Sequence, residues 1–411
     1  MIGAGIFGLP ARAYALAGAY SVLAYVAAAL AIVLIVACFA EVSSRFKDTG
    51  GPYLYARAAF GGLVGFEVGW LMWLARIAGL AALGNLAVGY LAFFLPAVGA
   101  GPWRTVALTA AVVVLTAVNV AGLKLTAAVT NLFTIGKLVP LVLVAVAGLA
   151  FVEPGRFAFD EVPGYASFSQ ATLLLIYAFT GFEGAVIPAG EARQPTRQLP
   201  FALLTGIAGI VGLYVAVQAV CVGTVTDLAS SERPVADAAM AFLGAPGAIF
   251  VTVGALVSIA GTLNALMFAT PRLLFAMAEQ GQLPSALGAT HPVLRTPVLA
   301  VALTAAITLA FTLSSTFISA VAISAVIRLF IYALTCAALI VLRRRPSAAP
   351  AAFHLPGGTV VAAAAIGLSA WLLSNTSWHE ARLSAMAALV GLVIYAVETL
   401  RRARSAPPAT R

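Results

Sequence analysis

Charged side chains are scarce in this sequence. Only 9% of its residues are charged and 62% are hydrophobic, whereas an ordinary soluble domain carries about 25% charged residues. So low a charged fraction excludes a soluble globular chain and predicts a protein that lies in a membrane.

Cysteine and histidine are also few. Three cysteines stand far apart in apolar stretches and indicate neither a disulfide framework nor a zinc site. Three histidines are too widely separated for metal-ligand spacing. Because the sequence also offers no Ser/His/Asp constellation, we expect neither an enzyme nor a bound cofactor. The residues are Cys38, Cys221, Cys336, His291, His354 and His379.

What the chain has instead is a series of long apolar runs. Crossing a bilayer as a helix takes about 20 residues. Residues 6–17 resemble half of such a span, and eleven further runs follow, so the spans are numbered 1 to 12. We expect one all-α polytopic membrane domain over residues 1–411. The runs are 20–40, 62–95, 103–122, 125–151, 168–190, 200–224, 247–279, 298–313, 316–342, 358–375 and 383–400.

The positive charge is distributed unevenly between alternate loops. The formal net charge is +9, but Lys and Arg gather in the loops after spans 2, 4, 6, 8 and 10 and in the basic tail 401–411. This asymmetry is typical of cytoplasmic loops and does not call for a nucleic-acid partner. We therefore expect a multi-pass protein of the cell membrane, in contact with the lipid bilayer, whose C-terminus is cytoplasmic.

Two similar glycine and proline motifs interrupt the apolar runs. Residues 3–10 read GAGIFGLP and residues 181–188 read GFEGAVIP, each with a glycine seven residues before a proline. Glycine costs about 1 kcal/mol and proline about 3 kcal/mol inside a helix. Paired interruptions in corresponding halves of a sequence point to the binding site of a transporter. The alternative is that both motifs are kinks or close-packing positions, which are common in membrane helices.

A broken helix suits one class of ligand. Unwinding exposes amide N–H groups at the start of one half-helix and carbonyl groups at the end of the other. A carboxylate is attracted to the first and an ammonium group to the second, so an amino acid is the expected small-molecule substrate. Small residues at Gly3, Ala4 and Gly5 would let it approach the backbone closely.

These motifs resemble those of the amino acid, polyamine and organocation transporter superfamily. GAGIFGLP and YAFTGFEGAVIPAGEARQPTRQLP carry the resemblance, together with residues 41–70, 258–284 and 327–345. The resemblance implies a LeuT-type fold with five-plus-five inverted repeats, here residues 1–151 and 168–342, and two peripheral spans in 358–400. It also implies a permease that moves amino acids by alternating access, or alternatively an amino acid or amine exchanger.

Lys137 lies about midway along span 5. A charge at the bilayer centre costs at least about 2.5 kcal/mol, so such residues are functional candidates. In several similar transporters a lysine at this position replaces a sodium ion between spans 1, 5 and 8. Lys137 is therefore either a static tether or a proton carrier, since a buried lysine loses its proton readily. Either role argues against sodium coupling, and the proton-carrier role makes protons the expected coupling partner.

Glu183 and Arg76 are the other charged candidates for the site. The family pattern has a glutamate at the position of Glu183, which would gate the site, bind protons or hold the unwound backbone, unless it only caps a helix end. Arg76 is halfway along span 3 and would pair with Glu183, with a substrate carboxylate or with another span. A permanent cation there disfavours cationic substrates. Arg328 and Glu67 are expected in structural pairs or near the inner vestibule.

The predicted site therefore combines both broken spans with one residue of span 3. Lys137 and Glu183 are the candidates for proton coupling or for replacing sodium. In the family a further half-helix of span 1 precedes the first break, and it has no counterpart here. We expect that Met1 is an internal methionine of a longer natural chain or a misplaced start; if the 411 residues are the whole chain, the site is incomplete on that side. The sequence leaves the particular substrate and the oligomeric state open. The substrate-binding candidates are Gly3, Ala4, Gly5, Ile6, Arg76, Ala178, Phe179, Thr180, Gly181 and Glu183.

Overall fold

The computed structural model of the chain describes residues 2–48, 50–121, 127–157, 159–186 and 194–405, and these are helical apart from turns and loops. In order, the helices are α1 Ala4–Ala17, α2 Ser21–Ser43, α3 Pro52–Phe60, α4 Gly62–Leu91, α5 Gly101–Val120, α6 Ala127–Gly148, α7 Tyr165–Ala178, α8 Glu183–Val186, α9 Pro195–Thr224, α10 Pro234–Glu279, α11 Val298–Ser314, α12 Phe317–Arg344, α13 Gly358–Ser374 and α14 Trp378–Ser405. Helix α8 has only four residues and follows the interruption of the chain after α7.

The helices confirm a polytopic membrane protein. Seven segments of the described chain are long and apolar enough to cross a bilayer, and three shorter apolar helices accompany them. Together with α7, these ten match the eleven full-length runs read from the sequence, although some runs are shorter as helices than they are in the sequence. The predicted sixth span, for example, becomes α7, a turn and α8, and its residues 187–190 lie outside the described residues.

Helix α4 lies at the centre of the bundle and α14 at its edge. In the most apolar stretch of each helix, 89% of the α4 residues are buried against 6% of those of α14. Helix α4 packs on α10, α11 and α12. Because lipid replaces protein at the edge, the large apolar side chains of α14 remain exposed, as in Leu389, Val393 and Leu400.

The first glycine and proline motif is less broken than the sequence predicts. Helix α1 begins at Ala4 and continues through Gly8 and Pro10 to Ala17, so only Ile2 and Gly3 are non-helical. Proline removes one helical hydrogen bond, but neighbouring helices supply contacts. The hydroxyl of Tyr90 donates a hydrogen bond to the Phe7 carbonyl at 2.8 Å. Tertiary contacts therefore support a helix that local propensity disfavours.

The second motif contains a real interruption. Helix α7 ends at Ala178 and α8 begins at Glu183, with residues 179–182 in turns. Gly181 has a φ of 100°, a region that residues with a Cβ rarely occupy. The glycine at this position thus permits the chain to leave the axis of α7.

Candidate substrate-binding site at the helix break

The helix break lies against the first helix. A Cβ built on Gly5 would be 2.5 Å from the Ala178 Cα, so the two backbones approach as closely as glycine allows. We had expected this glycine to leave room for a ligand, whereas in this closed structure the backbone of α7 takes that room. The two predicted halves of the site are nevertheless brought together.

Glu183 is the centre of a buried network beside the break. Its side chain is 2% exposed, and its Oε2 accepts hydrogen bonds of 2.8 Å from the Gly181 amide and of 2.8 Å from the Tyr332 hydroxyl. Arg328 forms a salt bridge with its Oε1. Of the alternatives for Glu183, these contacts match a residue that holds the unwound backbone, and they do not match a helix cap directed toward water.

Arg328, rather than Arg76, is thus the partner of Glu183. The Arg328 Nε donates to the Ser324 Oγ at 3.2 Å, and that hydroxyl donates to the Ala75 carbonyl of α4 at 2.8 Å. These bonds fix the guanidinium between α4, α8 and α12. The expectation of a structural pair for Arg328 matches this geometry, while the suggested pair of Arg76 with Glu183 is absent from the described contacts.

Arg76 is buried without a described counter-charge. It is 4% exposed, and no described residue forms a salt bridge with it or accepts a hydrogen bond from it. Its guanidinium is near enough to Arg328 for the two positive charges to repel. Burying an unpaired cation is costly, so this arrangement calls for a reason.

Aromatic rings cover the break on two sides. Phe179 is fully buried and its ring centroid lies 5.2 Å from that of Tyr214 and 6.3 Å from that of Tyr25. On the other side, the centroid of Phe182 is 5.0 Å from that of Phe39 and 5.0 Å from that of Tyr332. The rings pack on both sides of the break, while Gly181 itself is exposed. Buried with them are Ile6, Ala178 and Thr180.

Lys137 lies at a second position, where α6 meets the start of α1. Its Nζ donates a hydrogen bond of 3.2 Å to the Ile2 carbonyl. Gly3 is next to α10, since a Cβ built on it would be 3.6 Å from the Thr262 Cγ2. An ammonium group therefore occupies the meeting point of α1, α6 and α10. The contact agrees with the tether alternative and leaves the proton-carrier alternative untested.

The sequence reasoning missed two members of the network, Ser324 and Tyr332. They share a face of α12 with Arg328, because residues four apart on a helix are neighbours. A polar stripe with this spacing, inside an apolar span, is the signal that would have revealed them. Glu67, expected in a structural pair, has both carboxylate oxygens buried without a described hydrogen-bond partner. The loop residues Glu191 and Arg193 lie outside the described residues, and Arg197 is exposed.

The apolar helices and the buried polar break define a polytopic membrane transporter. A family model described as "Amino acid permease" matches residues 1–397. The chain therefore belongs to the amino acid permease family, within the superfamily that the sequence motifs resemble.

Individual relatives extend along nearly the whole chain. It is 30% identical to the serine/threonine exchanger SteT of Bacillus subtilis (strain 168), over 95% of this chain and 91% of that protein. It is 26% identical to the branched-chain amino acid permease BcaP of the same organism, over 96% and 89%. The methylthioribose transporter of that organism is 26% identical, over 91% and 84%.

Proposed function

We propose that this chain is a secondary active transporter that moves amino acids across the plasma membrane by alternating access, linked to protons and independent of sodium. The observation that carries the proposal is the interruption at 179–182 beside α1, in a chain of the amino acid permease family. Non-helical backbone at membrane depth persists only where protein buries it or where it lines a cavity. Two relatives, an amino acid permease and a serine/threonine exchanger, support the substrate class.

Helix packing supports the proposed LeuT-type arrangement of two inverted repeats. If residues 1–151 and 168–342 are equivalent, then α1, α2, α4 and α5 correspond to α7, α9, α10 and α11. Each of these four helices packs on its counterpart. Such pairing is expected when two repeats are related by an axis in the membrane plane, with α13 and α14 peripheral. Under this arrangement the C-terminus is cytoplasmic.

The position of Lys137 supports independence from sodium. Its ammonium group already places a positive charge beside the Ile2 carbonyl. A bound sodium ion would otherwise coordinate backbone oxygens of this kind. Ionisable side chains inside membrane spans are common members of proton relays. Lys137 and Glu183 are therefore the proposed groups for proton coupling.

The test is uptake of radiolabelled amino acids by proteoliposomes containing the purified chain. We expect an inward proton gradient to drive accumulation and replacement of sodium by choline to leave the rate unchanged. Lys137→Ala should reduce uptake and flatten its dependence on pH, whereas lower uptake with an unchanged pH profile would make Lys137 a tether only. A strict requirement for sodium would contradict the proposal.

The second candidate is an exchanger of the same fold, which the relation to SteT favours. Counterflow separates the two, because an exchanger moves labelled substrate only when unlabelled substrate is present on the opposite side. Uptake that depends wholly on internal substrate, with no response to a proton gradient, would establish the exchanger instead.

A further inference from the structure

The charges around the helix break do not balance. Arg76, Arg328 and Glu183 are all buried, with exposed fractions of 4%, 3% and 2%. Glu183 is engaged by Arg328, by the Tyr332 hydroxyl and by the Gly181 amide. One positive charge, that of Arg76, remains without a counter-charge among the described residues.

A structural explanation for Arg76 is weak. Removing one partner of a buried pair typically costs about 3–5 kcal/mol because the other charge stays buried and unpaired. Arg76 is in that state in this closed structure, with the repulsion from Arg328 in addition. An uncharged side chain of similar length would fill the same space at less cost, so the charge itself needs a partner that arrives from outside.

The position of Arg76 limits what that partner is. Ser324 bonds to the carbonyl of Ala75, the residue before Arg76, and Tyr177, at the end of α7, donates to the Gly79 carbonyl one turn later at 3.4 Å. Arg76 is therefore on the segment of α4 that contacts both α7 and the Arg328–Glu183 pair. A group that binds there also lies beside residues 179–182.

We propose that Arg76 binds the carboxylate of the substrate. The inference rests on the proposed amino acid transport and deepens it by naming the side chain that recognises one end of the substrate. A guanidinium offers a planar fork of donors that matches a carboxylate with two hydrogen bonds. The ammonium group of the substrate then faces the carbonyls at the end of α7, where the helix dipole favours a positive charge. Ligands that lack a carboxylate would leave Arg76 unpaired.

The experiment compares ligands that differ only in that group. The full chain is purified in lipid nanodiscs, and one bound amino acid is chosen by screening the standard set for binding. Dissociation constants are then measured for that amino acid, its methyl ester and its decarboxylated amine. In the unmodified chain we expect the ester and the amine to bind at least about 100-fold more weakly than the acid, as for loss of a charge-assisted bidentate contact.

Substitutions then assign the preference to Arg76. In Arg76→Gln the ratio of ester to acid dissociation constants should fall to less than about 10-fold, while the ester binds as well as before. Arg76→Lys should be intermediate, because it keeps the charge and loses the fork. If Arg76→Gln does not fold, Arg76→Met, which also lacks the charge, is measured in its place.

Arg272→Gln is the matched control. Arg272 also lies in an apolar helix, but its guanidinium packs on its own neighbour Phe268 at 3.2 Å from the ring centroid, so its removal should leave the ratio unchanged. The carboxylate assignment is overturned if Arg76→Gln keeps the high ratio of ester to acid dissociation constants. It is also overturned if that ratio is near one in the unmodified chain. Failure of the unmodified chain to bind or move any amino acid would instead overturn the proposed function.

Discussion

At the scale of single residues, two glutamates whose carboxylate oxygens are shielded from solvent have opposite surroundings. Glu41, near the end of α2, receives hydrogen bonds from Arg343 at 2.8 Å and 2.5 Å, from Arg45 at 3.3 Å and from the Leu355 amide at 2.8 Å. These bonds join α2 to α12 and to the loop before α13. The Glu67 carboxylate lies beside Gly391 of α14 without a described donor.

Replacing each glutamate by glutamine should therefore have unequal effects. Glu41→Gln should lower the free energy of unfolding by roughly 2 kcal/mol, because several donors lose their charged acceptor and Arg343 loses its partner. Glu67→Gln should change it by less than about 1 kcal/mol or stabilise the protein, because no described donor loses a charged acceptor and an uncharged amide costs less to bury than a carboxylate. Thermal unfolding in detergent checks the pair. Equal losses would mean that Glu67 has a donor after all.

At the scale of secondary-structure elements, the two motifs that look alike in the sequence fold differently. GAGIFGLP becomes a helix from Ala4, supported by contacts from Tyr90 and Gln218. GFEGAVIP begins with a turn, because Gly181 has positive φ and the Glu183 side chain accepts the Gly181 amide. Spacing of glycine and proline identified both places. It did not indicate which one would unwind, since that depends on side chains from other helices.

Two glycines of the second motif provide a matched test. Gly181→Ala forces a Cβ into a positive-φ conformation, which costs about 1–2 kcal/mol, and it should lower both stability and substrate binding. Gly184→Ala should be tolerated, because Gly184 is helical and a Cβ there meets nothing within 4 Å. Binding and thermal unfolding measured on both variants check this. A harmless Gly181→Ala would mean that the turn relaxes freely.

At the scale of the whole molecule, the structure is closed around its centre. Helix α4 is enclosed by α10, α11 and α12, and aromatic rings cover both sides of the helix break. All three cysteines are free and buried. The alternating access proposed for this chain would require some of these contacts to open, so the reactivity of the thiols would report how often they do.

We expect the native protein to protect its three thiols. A membrane-impermeant maleimide should modify the folded chain slowly, because the three thiols are buried and the reagent cannot reach them. After unfolding in SDS, all three cysteines should be modified within the same time, as mass spectrometry would show. Rapid native labelling of Cys38 or Cys336 would indicate that the α2–α12 interface is open for much of the time.

The amino-acid sequence alone identifies a helical membrane protein. Long apolar runs decide this, because a backbone in lipid must satisfy its hydrogen bonds internally, and the motifs at 3–10 and 177–200 add the resemblance to a transporter superfamily. The sequence also marked Lys137, Glu183 and Arg76 as unusual, since a charge in a span is expensive wherever it points.

Only the tertiary structure decided which of those charges are paired. Glu183 pairs with Arg328, which is 145 positions away along the chain, and Lys137 reaches Ile2, at a separation of 135. Contacts at such separations depend on how the helices pack, and local sequence pattern carries no information about that packing. The surplus charge of Arg76 is visible only once Glu183 has been assigned to Arg328.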